Sequence, residues 1–390
     1  MKTFLEETLA LLETKNLRRR LRLPDSWPRP RIVFEGKEVL NFCSNDYLGL
    51  ADDERLCQAA REAMKIQGFG AGASRLICGH MKAHAELERK IAEFKGTESA
   101  LTFSTGYMAN VGIISSLFGR GDIIFSDKLN HASIIDGIIL SQAEFKRYPH
   151  RDMDALEGML KSATGFKKRL IVTDSVFSMD GDLAPLERIV ELAQKYDCVV
   201  MIDEAHALGV MGQKGKGLAE HFHLEDKIDI QMGTLSKAVG AFGAYCCGSQ
   251  ELIDVLVNKA RSFIYTTALP PAVAAAAKMG LEIIESQPQL RQRLWENTFF
   301  VHERLKELGF RTLNSQTPII PLLTGDSDLA LEFSQKLFAA GILISAIRPP
   351  TVPQNTARLR LTVMATHQRK DLEYLLEKLE EVGKELDVIN

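Results

Sequence analysis

The sequence predicts an α/β protein with a mostly parallel sheet, helices on both faces of that sheet, and a smaller α+β domain at the C-terminal end. Short apolar runs bounded by turns alternate with helix-period segments through the middle of the chain, which is typical of helix-covered parallel sheets. The length of 390 residues is more than one core usually holds. After about residue 288 the composition shifts to charged helices, which indicates a second packed region.

The elements follow from these patterns in chain order. The N-terminal segment, residues 1–51, is predicted to be an arm made of a helix, a proline-containing link and a strand pair at residues 31–42. The large domain, residues 52–287, is predicted to have helices at 54–66, 83–94, 185–196 and after Pro271, and strands at 99–104, 122–127, 169–174, 198–204, 228–234 and 244–249. The small domain, residues 288–390, is predicted to have helices at 289–309 and 370–387, and strands at 317–324 and 357–366.

Composition excludes several classes of protein. The net charge of −3 gives no basic excess for a nucleic-acid partner. The longest weakly charged stretch contains Pro270 and Pro271 and is too short to cross a membrane, and the acidic N-terminal helix does not match a signal peptide. The six cysteines form no C-x-x-C pair, which indicates reduced thiols in a cytoplasmic protein without a metal site.

Polar residues follow the predicted strands. Parallel α/β sheets bind ligands beyond the carboxyl ends of their strands, so we expect these side chains to meet at one site. A glycine turn leading into a helix, as at residues 105–107, also suits a phosphate group. The candidate site residues from this pattern are Gly106, Tyr107, His131, Ser178, Asp203, His206, Thr234 and Lys237.

Lys237 is the only charged residue between Asp229 and Glu251. A buried ammonium without a partner is costly, so a lysine in such surroundings gives up its proton easily. A neutral lysine can act as a nucleophile, form a Schiff base or serve as a general base. A surface lysine that is isolated only along the chain is the alternative that this stretch alone leaves open.

The candidate residues together match the needs of pyridoxal phosphate. Its aldehyde takes a lysine, its pyridine nitrogen takes a carboxylate, its ring takes a stacking group, and its phosphate takes amides and hydroxyls. Asp203 suits the pyridine nitrogen, and Lys237 follows it by one further strand and helix unit. We therefore predict pyridoxal phosphate as the cofactor.

One rival interpretation comes from VVMIDEAHAL at residues 199–208, which is also similar to the DEAH strand of helicase-type ATPases. That function requires a G-x-x-x-x-G-K-[ST] loop earlier in the chain. No such loop is found: Gly215-Lys216 is followed by Gly217, comes after the DEAH segment, and has Val210 where the first glycine should be. The ATPase stays a remote alternative.

The motifs taken together resemble those of the α-oxoamine synthase family of fold-type I pyridoxal phosphate enzymes. This resemblance extends over nearly the whole chain. The family joins an amino acid to an acyl thioester, releasing carbon dioxide and a free thiol and leaving an α-amino ketone. The resemblance implies a homodimer with a shared active site. The motifs are NFCSNDYLGL, GFGAGASRLICG, HAELERKIAEF, FSTGYMAN, DKLNHASIIDG, TDSVFSMDGDLAPL, IDEAHALGVMG, GTLSKAVGAFGAY, FIYTTALPP and IRPPTVPQNTARLRLTVMATH.

The resemblance implies roles for particular residues. Lys237 is the Schiff-base lysine and the acid–base group at the substrate α-carbon, Asp203 pairs with the pyridine nitrogen, and His131 stacks on the ring. The other implied cofactor contacts are Ser178 and His206 beside the ring hydroxyl, Gly106, Tyr107 and Thr234 at the phosphate, and Thr266 or Thr267 from the partner subunit.

The string AIRPPTVP around Arg348 is similar to the branch of the family that condenses L-alanine with a pimeloyl thioester in biotin synthesis. In that branch the matching arginine holds the amino acid carboxylate, as a guanidinium fork can. The arginine matching Arg18 is associated with the far carboxylate of the acyl chain, although Arg18 can also be ordinary helix-surface charge. Asn45, Ser74 and Thr351 are assigned to the substrate on the same resemblance.

Several alternatives remain open at this point. A glycine C-acetyltransferase, or a relative that uses another acyl donor, would share the fold and Lys237. A cofactor-binding protein without turnover would form the lysine adduct and make no ketone. The resemblance leaves both coenzyme A and an acyl carrier protein as carriers of the acyl group.

Overall fold

The computed structural model describes residues 2–14, 18, 21, 23–26, 29–34 and 36–390. Part of the predicted proline-containing link, residues 27–28, lies outside the described residues. Within the described ranges the strands are β1 (Arg31–Phe34), β2 (Lys37–Asn41), β3 (Ser99–Phe103), β4 (Ile123–Asp127), β5 (Glu144–Tyr148), β6 (Arg169–Asp174), β7 (Val199–Asp203), β8 (Ile230–Thr234), β9 (Ala244–Gly248), β10 (Ile319–Gly325), β11 (Ile342–Leu343), β12 (Ser345–Ile347) and β13 (Ala357–Thr362).

Helices connect and cover these strands. Across the same described ranges they are α1 (Lys2–Thr14), α2 (Glu54–Gln67), α3 (Lys82–Lys95), α4 (Gly106–Leu117), α5 (Ala132–Ser141), α6 (Met153–Ser162), α7 (Leu186–Tyr196), α8 (Leu218–His221), α9 (Gln250–Lys259), α10 (Arg261–Ile264), α11 (Pro271–Ser286), α12 (Pro288–Glu307), α13 (Ser327–Ala339) and α14 (Arg369–Glu385). A π-helical turn at Arg75–Gly79 and a 3-10 turn at Glu225–Lys227 complete the set. None of the helices in this part of the chain is long and apolar enough to cross a membrane.

The central sheet has seven strands in the order β3-β9-β8-β7-β6-β4-β5. Only β9 runs antiparallel to its neighbours β3 and β8, and the other pairs are parallel. Strands β4 and β8 are buried at every position, which explains why these strands read as continuous apolar runs. Two hydrophobic clusters lie on the two faces under the helices, so the predicted helix-covered, mostly parallel sheet is confirmed.

Parallel strands bring polar residues together at one edge of this sheet. Strands β6, β7 and β8 end at Asp174, Asp203 and Thr234. Asp174 lies directly opposite Asp203 in the β6–β7 register, and Asp203 lies opposite Met232. The carboxyl edge of the sheet is therefore where the predicted site residues meet.

A smaller region of strands and helices packs beside the carboxyl edge of the central sheet. Strands β10, β13 and β12 form an antiparallel sheet whose core also takes residues from α12, α13 and α14. The predicted smaller C-terminal α+β region is thus confirmed. Strands β1 and β2 form a hairpin, and β2 pairs in parallel with β11, which joins the N-terminal segment to the C-terminal region. The exact boundaries, at residues 51/52 and 287/288, stay predictions.

Strand β5 is one of several elements, with α6, α9 and α13 among the helices, that the sequence analysis does not predict. Its sequence, EFKRY, carries three charges, and only Tyr148 is fully buried. It forms the edge of the central sheet and pairs with β4 alone. An edge strand is buried less than a central one, so its residues do not form an apolar run.

Candidate active site

A cavity of 430 Å³ lies at the carboxyl edge of the central sheet, where the C-terminal region and residues 43–45 close it from the other side. Strands of both regions contribute side chains. The lining residues are Cys43, Asn45, Gly106, Tyr107, Asn110, His131, Ser133, Asp174, Ser178, Met179, Asp203, Ala205, His206, Met232, Thr234, Ser236, Lys237, Ser345, Ile347 and Arg360.

The cavity brings together nine of the residues that the sequence nominates: Asn45, Gly106, Tyr107, His131, Ser178, Asp203, His206, Thr234 and Lys237. Six others do not line it: Arg18, Ser74, Thr266, Thr267, Arg348 and Thr351. Eight of the nine come from the strand-end pattern and Asn45 comes from the resemblance; all nine meet at one cavity, and their roles stay predictions.

Lys237 follows β8 and projects its amine into the cavity. Its Nζ donates a hydrogen bond to the Thr234 hydroxyl at 3.2 Å. Burial lowers the pKa of Lys237, and the carboxylates of Asp203 and Asp174 oppose that effect only in part. A lowered pKa increases the share of the neutral amine, which is the form that can accept a proton.

Asp203 ends β7 at the floor of the cavity. Its carboxylate is buried and accepts two hydrogen bonds, from the Asn110 side-chain amide at 2.8 Å and from the Ala205 main-chain N–H at 2.9 Å. A carboxylate has room for more than two hydrogen bonds, so Asp203 can still accept one from a cationic ring nitrogen. Asn110 lies one helical turn after Gly106 on α4, and that spacing could have identified it from the sequence.

Asp174 places a second carboxyl group beside Asp203. It is buried, and its Oδ2 accepts the main-chain N–H of His131 at 2.9 Å. Burial and the neighbouring carboxylate of Asp203 raise the pKa of Asp174 well above its usual value. Asp174 therefore holds its proton more tightly than a solvent-exposed carboxyl group does, and its side chain lines the cavity.

His131 caps the N-terminus of α5 and turns its ring toward the cavity. The ring Nδ1 lies 2.7 Å from the Ser133 hydroxyl, which in turn accepts a hydrogen bond from Asn110 at 2.9 Å. The Ser133 main-chain N–H also donates to Nδ1 at 3.3 Å. Since Nδ1 accepts from these donors and the main chain is held by Asp174, the orientation of the ring is fixed.

His206 is oriented by Tyr47, a residue that the sequence analysis does not single out. The Tyr47 hydroxyl lies 2.6 Å from His206 Nδ1. Burial raises the pKa of Tyr47 to about 12, so its hydroxyl keeps its proton and donates to that nitrogen. Burial also holds the pKa of His206 well below its usual value, so the ring is neutral. Since Nδ1 accepts the Tyr47 hydroxyl, Nε2 carries the ring proton and can donate it.

Helix α4 presents its N-terminus to the cavity. Thr105 caps it by accepting the Met108 main-chain N–H at 3.1 Å, and the amides of the first turn have no partner inside the helix. A Cβ added at Gly106 would lie 2.8 Å from a methyl group of Thr234, so only glycine fits this close approach. The Tyr107 hydroxyl donates to Asp136 at 2.6 Å. The arrangement suits a phosphate group.

Arg360 on β13 provides the guanidinium of the cavity. It donates to the Ser178 carbonyl at 2.6 Å, to Asn45 Oδ1 at 3.0 Å and to the Thr362 hydroxyl at 3.0 Å. Its neighbour in the strand, Arg358, is equally buried. Arg358 and Arg360 alternate with apolar residues in β13. This pattern was the signal in the sequence that could have identified Arg360.

The arginine predicted for the substrate, Arg348, lines a neighbouring cavity of 480 Å³ that shares Cys43 and Ser345 with the first. Thr351 is exposed and donates its main-chain N–H to the Arg348 carbonyl at 3.0 Å. Arg18 is exposed after the end of α1 and pairs with Glu13.

Ser74, Thr266 and Thr267 lie together on one surface outside the cavity. The main-chain N–H of Ala268 donates to the Ala73 carbonyl at 3.0 Å, which joins the two segments. Large apolar side chains nearby are exposed: Ile77 by 80%, Phe69 by 76%, Tyr265 by 71% and Leu76 by 51%. Such a patch on a monomer is typical of a protein–protein interface.

The sequence model of the aminotransferase class I and II family matches residues 37–379. The chain belongs to this family. The 8-amino-7-oxononanoate synthase of Geobacter sulfurreducens is 50% identical over 383 residues, which are 98% of this chain and 98% of that protein. The prediction of the enzyme family from the motifs is confirmed.

Solved structures agree with this assignment. A serine palmitoyltransferase with a PLP internal aldimine has a TM-score of 0.94 at 32% identity and covers 99% of this chain and 98% of that chain. The 8-amino-7-oxononanoate synthase of Francisella tularensis has a TM-score of 0.77 at 32% identity and covers 89% and 98%. Both support a fold-type I arrangement, as the sequence predicts.

The cavity residues fit pyridoxal phosphate. A buried carboxylate, Asp203, lies across the cavity floor from a lysine of lowered pKa, Lys237. His131 presents a fixed ring to the same cavity, and the Gly106 turn leaves room for a phosphate at a helix N-terminus. These are the four groups that the cofactor requires.

Proposed function

We propose that this chain is a pyridoxal-phosphate-dependent acyltransferase that condenses L-alanine with a pimeloyl thioester. The products are 8-amino-7-oxononanoate, carbon dioxide and free thiol, in biotin biosynthesis. One observation carries the proposal: the cavity joins a cofactor site to the Arg360 guanidinium, in a chain 50% identical to an 8-amino-7-oxononanoate synthase over nearly its full length.

Different residues of the cavity would hold different parts of the cofactor. Asp203 would pair with the pyridine nitrogen, His131 would lie against the ring, and Gly106, Tyr107 and Thr234 would hold the phosphate. Bound there, pyridoxal phosphate supplies an electron sink for the negative charge that develops at the amino acid α-carbon. His206 would donate its Nε2–H to the ring hydroxyl oxygen, since Tyr47 occupies its Nδ1.

Lys237 moves the proton of the reaction. Its neutral Nζ removes the proton from the α-carbon of L-alanine, and its lowered pKa makes that form available. The Thr234 hydroxyl accepts a hydrogen bond from Nζ and keeps the amine directed into the cavity. The α-carbon then attacks the thioester carbonyl, and loss of carbon dioxide leaves the amino ketone.

Arg360 is the group that we propose for the carboxylate of L-alanine. It is buried, lines the cavity and is held in place by Ser178 and Asn45, so a guanidinium edge is available for a two-pronged contact. The proposed assignment of Arg348 to this carboxylate would require a change within residues 347–351, because Ile347 lines the first cavity while Arg348 lines the neighbouring one. Thr351 would then come closer to the substrate as well.

The homodimer with a shared active site is also a proposal. The predicted residues missing from the cavity of one chain, Ser74, Thr266 and Thr267, share one exposed apolar surface. A second copy covering this surface would bury the apolar side chains and bring Thr266 or Thr267 to the partner's phosphate site. We propose Arg18 as a contact for the far carboxylate of the acyl chain, in the same assembly.

The cellular setting follows from the cysteines. None of the six cysteines, all within the described residues, forms a disulfide, which is the expected state in a reducing compartment, and we propose the cytoplasm as the location. Both coenzyme A and an acyl carrier protein remain candidate carriers of the pimeloyl group.

The test supplies the cofactor-loaded protein with L-alanine and pimeloyl-CoA, and separately with glycine and acetyl-CoA. The amino ketone products are identified by mass spectrometry. Product from the first pair alone supports the proposal. Product from the second pair alone would replace it with a glycine C-acetyltransferase, while the cofactor and Lys237 keep their roles.

A further inference from the structure

A cluster of charged side chains follows the end of β5, next to the active site. His150 Nδ1 lies 3.0 Å from Asp127 Oδ1, and its Nε2 lies 2.9 Å from Asp182 Oδ2. Arg151 Nη1 donates to the same oxygen of Asp182 at 3.0 Å. We call these four residues, His150, Arg151, Asp127 and Asp182, the His150 clamp.

The geometry of the clamp requires a charged imidazole. Both ring nitrogens face carboxylate oxygens, so each must carry a proton to donate. Burial lowers the pKa of His150, but the hydrogen bonds to Asp127 and Asp182 outweigh it and raise the pKa to about 9. Charge-assisted hydrogen bonds of this kind are among the stronger polar contacts in proteins.

The backbone at the clamp is held in an unusual conformation. Arg151 has a φ of +57°, in the left-handed region that few residues other than glycine adopt. Its main-chain N–H donates to Asp127 Oδ2 at 2.9 Å, which ties this conformation to the clamp. The edge of the Phe177 ring contacts the His150 ring, with centroids 4.5 Å apart at 90°. Such strain persists where the surroundings impose it.

The clamp holds one end of the Ser178 loop, residues 176–183. Val176 and Leu183 pair at its base, and the Phe177 N–H donates to the Asp182 carbonyl at 3.1 Å. Between them Ser178 lines the cavity, and its carbonyl accepts the hydrogen bond of Arg360 at 2.6 Å. The Ser178 loop therefore lines the proposed cofactor site with Ser178. The main-chain carbonyl of the same residue holds the guanidinium of Arg360 in place.

The other side of the Ser178 loop is held by the C-terminal region. Arg358 pairs with Asp180, and the Thr317 hydroxyl donates to the Gly181 carbonyl at 2.9 Å. The clamp is thus the attachment of this loop to the edge of the central sheet, through Asp127 at the end of β4. The start of the loop is tied to the sheet separately, since the Ser175 N–H and hydroxyl both donate to the Asp203 carbonyl at 2.9 Å, so the clamp fixes the Asp182 end.

We propose that His150 is a positioning residue for the reaction: by holding Asp182, it sets where Ser178 and Arg360 stand in the cavity. It touches neither cofactor nor substrate itself. The proposal rests on the proposed function for the meaning of the site, and it concerns only residues of this chain.

The test compares His150→Ala, His150→Gln and Asp182→Asn with a matched control, Glu157→Gln. Glu157 also joins several charged partners, Lys195 and Arg188 among them, but it lies on α6 and contacts no cavity residue. For each holoenzyme we would measure the dissociation constant of pyridoxal phosphate, the visible circular dichroism of the bound cofactor, KM and kcat for L-alanine, and the thermal midpoint.

We expect His150→Ala and Asp182→Asn to raise the cofactor dissociation constant and KM for L-alanine about tenfold each and to weaken the dichroism band. The double variant should be little worse than either single variant, since the two act through one contact. His150→Gln keeps a donor and should fall between these variants and the unchanged protein. If His150→Ala does not fold, His150→Gln with Asp182→Asn decides.

The proposal is wrong if the clamp variants only lower the thermal midpoint, as Glu157→Gln should, and leave cofactor binding, dichroism and KM unchanged. Cofactor binding and dichroism do not depend on the identity of the substrates. Failure of the unchanged protein to bind pyridoxal phosphate would instead contradict the proposed function.

Discussion

The two sides of the cavity take their side chains from different positions in their strands. On the side of the central sheet, His131, Asp203 and Lys237 follow the ends of parallel strands. On the side of the C-terminal region, Arg360 lies inside an antiparallel strand and turns inward from it. The first side follows from topology, because parallel strands end together. The second side depends on tertiary packing, so the sequence analysis selects Arg348 there and does not single out Arg360; both assignments stay proposals.

The largest effect is expected on the sheet side. Lys237→Ala removes the proton-transfer group, and kcat should fall by about 10³-fold or more. Steady-state kinetics with L-alanine and pimeloyl-CoA measure it. Lys214→Ala, which changes an exposed lysine on a nearby loop, is the control and should leave kcat unchanged. Full activity of Lys237→Ala would overturn the whole interpretation.

The two neighbouring carboxyl groups at the strand ends should differ sharply. Asp203→Asn weakens the partner of the pyridine nitrogen, and kcat should fall by about 10²-fold. Burial and the neighbouring Asp203 raise the pKa of Asp174 and favour its neutral form, which Asp174→Asn imitates. Its kcat should change by less than about threefold. Equal losses in both variants would refute this assignment.

The comparison of the two arginines tests the C-terminal side. Arg360→Lys loses the two-pronged contact, and KM for L-alanine should rise about 30-fold. Arg348→Lys should raise it less than about twofold. Competition with unreactive carboxylate analogues of L-alanine provides a second measurement. A larger effect at Arg348 would show that residues 347–351 move into the cavity and would restore the assignment made from sequence.

The smallest expected effect is a pH dependence of stability at the His150 clamp. The folded pKa of His150, about 9, lies above its ordinary value, so its contribution is fully present below about pH 6.5 and lost as pH rises through 9. The ring is 25% exposed, so we expect on the order of 1 kcal/mol. Chemical unfolding from pH 6 to 10 measures it, with Asp127, Asp182 and Arg151 as the charges that face the ring. An identical pH profile for His150→Gln would contradict the role of this histidine.

Much of the fold was predictable because buried strands and amphipathic helices leave periodic patterns. Strand β5 was missed because EFKRY lies at a sheet edge and satisfies no apolar pattern. The strand-end residues of the site were predictable because the carboxyl ends of parallel strands lie along one edge of the sheet. Asn110 and Arg360 were missed: the one-turn spacing from Gly106 and the alternate arginines of β13 were weak signals, and only packing shows which way such side chains turn.

The measurement that tests the central claim most directly is the identity of the lysine that holds the cofactor. The cofactor-loaded protein is treated with borohydride, digested, and its peptides are mapped by mass spectrometry. We predict that the added cofactor mass is found on the peptide that contains Lys237, and that Asp203→Asn lowers its yield. Cofactor attached to another lysine, or to none, would contradict the proposed active site.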